Sequence, residues 1–236
     1  ITDASVQYED LATGQSIVLQ DFTLLASQIM LGSEFPLEVG FLVNTGDPEM
    51  TVEGDITARL TANEELTEFS VKGLDAKFGL SGDAFDGRTL QARITGAGDA
   101  NTTNETARLD NFRATLANLE LTTNLDIEGF GPQARVNGDL ALAEFSLREL
   151  MQAMGMEEPE TADPDVLNKI SLSTRLTGPA GVAELSDLTV VLDDTTFKGG
   201  ARYNIGSGAL TFQLEGDALN ADRYLPPPSE ESETGP

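Results

Sequence analysis

The chain has 236 residues, of which 39% are hydrophobic and only 6% aromatic, and it sets 40 Asp and Glu against 14 Lys and Arg for a formal charge of −26. That balance excludes nucleic acid, whose phosphates need clustered cations, and it argues against adhesion to an anionic bilayer surface. Zero His and zero Cys exclude Ser-His-Asp and Cys-His nucleophiles, imidazole and thiolate metal sites and disulfides, so most enzyme classes fall away.

The opening residues Ile1 to Tyr8 already read as strand, so the chain is expected to be the middle of a longer protein. No run of 18 apolar residues and no signal-peptide pattern occurs. Residues 1–58 hold ten acids and no cation, the first being Arg59. This reads as a solvated acidic face. A calcium loop of the D-x-[DN]-x-[DN]-G type is absent, and the nearest approach, Asp83-Ala84-Phe85-Asp86-Gly87, reads as a turn.

Period two dominates from there on. Leu37, Val39, Phe41 and Val43 alternate with Glu38, Gly40, Leu42 and Asn44, and Val52, Gly54, Ile56, Ala58 and Leu60 alternate with polar residues. The same holds for Leu119, Leu121, Thr123, Leu125 and Ile127, and for Leu210, Phe212 and Leu214. Alternate side chains on a strand face opposite ways, so each segment has one apolar and one polar face. Turn chemistry punctuates these runs at Thr45-Gly46-Asp47-Pro48, Ser81-Gly82-Asp83, Gly96-Ala97-Gly98-Asp99, Gly129-Phe130-Gly131-Pro132, Gly178-Pro179-Ala180-Gly181 and Gly206-Ser207-Gly208. Roughly eleven to thirteen strands are predicted, joined as a meander.

One segment departs from that period. Leu147, Leu150, Met151 and Met154 have helical spacing, Ser146 with Glu149 suggests a capping box, and Gly155 a stop, so a short helix is predicted near 147–154. Met151 and Met154 suit either a soft ligand surface or ordinary packing. Residues 156–164 read as an exposed loop and Asp165 to Lys169 as a helical turn. Asp193-Asp194, after the apolar run 188–192, reads as strand-end residues bonding nearby backbone. A short phrase also recurs at Leu19-Gln20-Asp21-Phe22, Leu66-Thr67-Glu68-Phe69, Leu109-Asp110-Asn111-Phe112 and Leu185-Ser186-Asp187-Leu188, which suggests stacked β units. A second echo pairs Val136-Asn137-Gly138-Asp139-Leu140 with Leu214-Glu215-Gly216-Asp217-Ala218.

The stretch 226–236, rich in Pro and Glu, is expected to be a disordered linker, which makes residues 1–225 the β domain. The fold class is therefore all-β with minor α: a long twisted, mainly antiparallel β meander forming a groove or incomplete barrel, with one short helix. Its apolar face must close into a barrel or sandwich, pack on the helix, or line a trough. Leu37, Val39, Phe41, Val52, Ile56, Leu119, Leu121, Leu125, Leu210, Phe212 and Leu214 are the candidate groove-facing positions.

Several segments together resemble the AsmA family of bacterial envelope proteins. They are Phe145 to Leu150, Thr161 to Asp165, Ile170 to Leu176, Leu185 to Gly199, Leu210 to Leu214 and Asp217 to Leu225 with the triple proline behind it. The opening, Ala4 to Asp10 and Thr13-Gly14-Gln15, is similar to that family too. The resemblance implies a periplasmic location in a Gram-negative cell, tethered to the inner membrane through a segment absent from this chain. It also implies a part in outer-membrane biogenesis and kinship with bridge-like lipid-transfer proteins. On that reading the chain is non-catalytic, carries no cofactor or metal, and holds phospholipid acyl chains in an apolar β groove; other envelope proteins are further partners. The alternative is a closed β scaffold that engages partner proteins without binding lipid. An enzyme acting through paired carboxylates is a third reading, which would require two of them about 5–10 Å apart in a polar cleft.

Overall fold

The computed structural model describes residues 1–10 and 15–227; most of the expected linker, 228–236, lies outside the described residues. Thirteen strands follow one another: β1 (Ala4–Asp10), β2 (Gln15–Ala26), β3 (Phe35–Gly46), β4 (Glu49–Ala62), β5 (Glu68–Gly82), β6 (Thr89–Asn101) and β7 (Thr106–Leu116), then β8 (Leu119–Glu128), β9 (Arg135–Phe145), β10 (Ile170–Pro179), β11 (Val182–Leu192), β12 (Thr195–Asn204) and β13 (Leu210–Gly216). Each pairs antiparallel with its neighbours in the chain, giving one thirteen-stranded sheet in simple meander order. β1 and β13 do not pair with each other, so the sheet is open and not closed into a barrel. The all-β meander expected from the sequence is the observed fold.

Because strand directions alternate, the turns fall on two rims. One rim carries the connections β2–β3, β4–β5, β6–β7, β8–β9, β10–β11 and β12–β13. The other carries the remaining connections, including the only α-helix of the described residues, α1 (Leu147–Ala153). Its N-cap is Ser146, whose hydroxyl accepts the Glu149 N–H at 3.2 Å. At its end Met156 N–H donates to Met151 C=O and Gly155 N–H to Gln152 C=O, with Gly155 at φ +72°. That is the Schellman arrangement, and glycine enters the left-handed region there without a Cβ clash.

The sheet is a single layer. Its solvent-accessible surface is 15090 Å², against the roughly 10,000 Å² that a compact protein of this mass exposes. Hydrophobic burial is correspondingly sparse: among the described residues Ala58, Ala76, Leu90, Val166 and Leu188 are the buried apolar side chains.

The recurring Leu-polar-Asx-apolar phrase marks bulges. In β2, β7 and β11 the residues Asp21, Asn111 and Asp187 sit at φ +53°, +48° and +51°, where the pairing slips against both neighbouring strands. Apolar residues three apart would face opposite ways in a regular strand; the extra residue restores both to one side. Asn and Asp tolerate this left-handed geometry better than most side chains. The Leu66 copy is different, for it lies in the β4–β5 turn, and the bulge of β5 falls at Gly73 instead, at φ +57°. The phrase is thus local bulge chemistry that recurs without a fixed strand period.

Two further expectations are corrected. Gly96-Ala97-Gly98-Asp99 is no turn: it lies inside β6, opposite the β7 bulge, where a Cβ on Gly98 would stand 2.8 Å from Arg108 C=O. Glycine serves there for close backbone approach. Asp165 to Lys169 form no helical turn, because Leu167 adopts φ +67° and the N–H groups of 167–169 point to the Asp193 carboxylate.

Candidate functional site

Register brings the eleven candidate positions onto one face. Directly opposed residues in antiparallel strands project to the same side. One row runs unbroken from β2 to β13 through Leu24, Val39, Ile56, Ala76, Ile94, Ala114, Leu121, Leu142, Leu172, Val190, Phe197 and Gly216. A second joins Phe41, Gly54, Phe78, Ala92, Leu116 and Leu119. A third links Phe35 to Phe212 by way of Leu60, Val71, Gly98, Leu109, Leu125, Gly138, Leu176, Leu185 and Ala201. Val52 belongs to a shorter row with Val6, Leu19, Val43, Leu80 and Leu90. Leu37 opposes Ala58, Leu214 opposes Gly199, and Leu210 opposes Tyr203, all on this same side.

None of the eleven is buried. Nine are half-exposed, while Leu210 and Phe212 on the edge strand are 59% and 63% exposed. The face is textured by glycine: the Phe41 ring lies over Gly54, where a Cβ would fall 2.4 Å from it, and meets Phe78 at a centroid distance of 6.4 Å. The rows missed by the sequence reading, such as Leu24–Val39 and Leu142–Leu172, were visible as apolar alternation, but their alignment depends on the bulges.

The polar residues that intrude on this side are internally satisfied. Thr123 hydroxyl donates to Asp139 C=O at 2.6 Å, Thr174 to Ser186 C=O at 2.9 Å, and Thr195 to Ala218 C=O at 2.6 Å. All three threonines are buried. Their hydroxyls are spent on backbone carbonyls, so they offer little polarity to anything lying on the face.

The opposite face carries the charge. Arg93 grips Asp75 with two bonds of 2.7 and 2.8 Å, Arg108 meets Asp126 at 2.7 Å, Arg113 meets Glu120 at 3.0 Å, and Arg202 meets Glu184 at 3.1 Å. The Asp75 carboxyl is held below its ordinary range by the Arg93 hydrogen bonds and charge. Hollows of about 620, 910 and 890 Å³ open on this polar side, lined by groups such as Asp21, Glu38, Glu53 and Asp55 in the first. The candidate face itself is a broad open surface on an unclosed sheet. Among the described residues no cluster of three acidic side chains is placed to hold a metal ion.

Along the α1 rim a clamp covers the end of β9 to β12. Asp193, in the β11–β12 turn, accepts the N–H groups of Leu167, Asn168 and Lys169 at 2.7, 3.0 and 3.1 Å and the Tyr224 hydroxyl at 2.9 Å. Burial raises its pKa, but these donors outweigh that and hold it below the usual range. Burial, followed by the bond to Asp193, pushes the Tyr224 hydroxyl up to about 12. Arg223 binds Asp163 at 2.7 Å and Asp194 at 3.1 Å, and Arg148 binds Val166 C=O at 2.8 Å and the Thr161 hydroxyl. Val166 beneath it is fully buried. The expectation that Asp193 bonds backbone is what the structure contains, and the partners are distant in sequence. Met151 and Met154 are half-buried.

Comparison with protein-family models, curated proteins and solved structures gives no match. No helix among the described residues is long and apolar enough to cross a membrane.

Proposed function

We propose that this chain is a non-catalytic segment of an AsmA-like envelope protein, in the periplasm and tethered to the inner membrane by a part of the protein outside this sequence. It holds or conducts phospholipid acyl chains along its apolar sheet face, in the service of outer-membrane biogenesis. One observation carries the reading: register aligns an apolar row across β2 to β13, and among the described residues no second layer covers it beyond the cap at the α1 rim of β9 to β12. Soluble domains bury such a face against another layer, and large exposed apolar surfaces mark binding sites. Thirteen strands spaced about 4.8 Å apart extend over roughly 58 Å, and each methylene laid on such a surface gains about 0.8 kcal/mol. Affinity then needs no head-group contact, in keeping with the absence of clustered cations on this side. The family assignment rests on the resemblance of the segments between Phe145 and Leu225.

The test is native mass spectrometry of the chain purified from bacterial membranes, with lipid extraction and uptake of a fluorescent phospholipid alongside. Co-purifying phospholipid, lost in Phe41→Asp and Phe212→Asp, is the expected result. Phe212 is the more exposed of the two, so its substitution disturbs folding least. A lipid-free chain that takes up no probe would sink the proposal and leave a protein-binding scaffold.

A further inference from the structure

The two margins of the open sheet are finished differently. β1 is broken by a shift in register between Ala4 and Val6, and β1 and β2 carry Glu9, Asp10 and Asp21 with no basic side chain. Bulges and charges of this kind keep an edge strand from pairing with another chain. β13 has neither defence. Its register against β12 is unbroken from Leu210 to Gly216, it contains no proline, and Glu215 is its single charge. Every residue of it except Leu214 is exposed.

The direction of its backbone groups follows from the two ends of the ladder. Ala209 C=O accepts the Asn204 N–H at 2.9 Å, and Asp217 N–H donates to Thr196 C=O at 3.2 Å, so the odd-numbered residues face β12. Alternation along an antiparallel ladder then turns the N–H and C=O groups of Leu210, Phe212, Leu214 and Gly216 outwards. Past Gly216 the chain bends back over the sheet, where Ala218 C=O accepts the Thr195 hydroxyl and Tyr224 reaches Asp193. Among the described residues no strand but β12 pairs with β13.

We propose that two copies of this chain pair along β13, antiparallel about a two-fold axis at Gln213, into one continuous sheet. In that register Phe212 faces Leu214 of the second copy and Leu210 faces its Gly216, each pair exchanging the outward backbone bonds. These side chains lie on the apolar side, so the apolar face runs on from one copy to the other. On the polar side Gln213 meets its own counterpart, and Thr211 meets Glu215 of the second copy. Within each copy Glu184 pairs with Arg202, Arg202 with Thr211 and Lys198 with Glu215. The row across the seam therefore reads Glu184, Arg202, Thr211, then Glu215 and Lys198 of the second copy, with opposite signs alternating. Sliding the register by two residues one way sets Glu215 against Ala209. Sliding it the other way sets Thr211 against Asp217, whose carboxylate already accepts the N–H groups of Thr196 and Ala218. Lys198 and Arg202 against Glu215 also spare this margin the repulsion that a net charge of −26 imposes elsewhere.

Sedimentation equilibrium of the whole chain without lipid is expected to show a monomer–dimer equilibrium in the micromolar range. Gln213→Lys and Gln213→Glu, exposed changes on the polar side, set like charges against each other at the axis. Each is expected to raise the dimer dissociation constant at least about threefold, and an equal mixture of the two to regain the dimer. Leu214→Pro removes an N–H that makes no bond to β12 and is expected to weaken the dimer at least about tenfold. A monomer throughout that range, a stronger dimer in either Gln213 variant, or no gain on mixing would each overturn the proposal. Indifference to both charges would assign any dimer to the apolar faces, and open-ended growth would assign it to β13 meeting β1 of the next copy; either result overturns it. The readout contains no lipid, so its failure leaves the reading of the apolar face standing.

Discussion

The two ends of the sheet obey the same strand grammar and differ in how they are finished. Around β9 to β12 the apolar side is capped at one rim by α1, the 154–169 loop and the 217–225 segment, and Val166, Leu188 and Thr195 are 0%, 4% and 3% exposed. In β1 and β2 nothing of the kind occurs among the described residues: Val6, Tyr8 and Ile17 are 60%, 59% and 40% exposed. The charges differ in parallel. The polar face of β5 to β13 sets acids beside arginines, whereas Asp21, Glu38, Glu53 and Asp55 surround one hollow of β2 to β4. Apolar alternation therefore suffices to make a sheet, but whether its face is covered depends on a few polar ties between distant turns.

The strongest way to break this contrast is to remove the clamp. Asp193→Ala leaves the N–H groups of Leu167, Asn168 and Lys169 without their acceptor, and is expected to cost about 2–3 kcal/mol by chemical denaturation. Hydrogen exchange should rise in 154–169 and 217–225 and hold steady in β2 to β5. Uniform loss of protection would show that the clamp supports the whole sheet.

The same hub has a predictable pH response. Asp193 and Asp163 have depressed pKa values in the fold, Asp163 through the Asp165 N–H and then Arg223. Their stabilisation is complete above the unfolded value near 4 and is lost as pH falls through the lower folded values. Tyr224, raised to about 12, favours the fold while it is neutral, so its contribution fades as pH climbs from about 10 to 12. Protection of 154–169, relative to the intrinsic exchange rate at each pH, should fall at both extremes, and Tyr224→Phe should abolish the alkaline limb and, by removing one donor to Asp193, shrink the acid limb in part.

Bulge chemistry offers an intermediate effect. Asn111→Val places a β-branched residue at φ +48° and is expected to destabilise by about 1–2 kcal/mol, while Asn111→Gly, which adopts that geometry freely, costs less. The Asn111 N–H donates to the Asn124 side chain at 2.8 Å, so Asn124→Ala should reproduce part of the loss. Equal tolerance of Val and Gly would mean that the left-handed geometry is not needed.

The smallest expected effect sharpens the charge contrast. Raising salt from 50 to 500 mM should slow exchange in β2 to β4 by relieving carboxylate repulsion, and leave the exposed ion pairs of β5 to β8 slightly weaker. Parallel changes in both regions would dissolve the distinction.

Much of this architecture was legible as period and punctuation. Leu119 to Ile127 and Val52 to Leu60 announce strands with one apolar side, and Ser146 with Gly155 bracket a helix whose caps are where those residues place them. The phrase was visible as a recurrence that suggests stacked β units, but its role as a bulge was not, since Leu109 and Phe112 share a face only if Asn111 turns left-handed. Gly96 and Gly98 misled for a related reason, because glycine marks close backbone approach as readily as a turn. Local chemistry by itself determined the strands, the polarity of each face and the acidity. Only the tertiary structure decided that the sheet stays open, that all eleven apolar positions share one side, and that Asp193 gathers three backbone amides and a tyrosine from far along the chain. Alternation is a property of neighbours in sequence; register, closure and long-range acceptors depend on which strands meet.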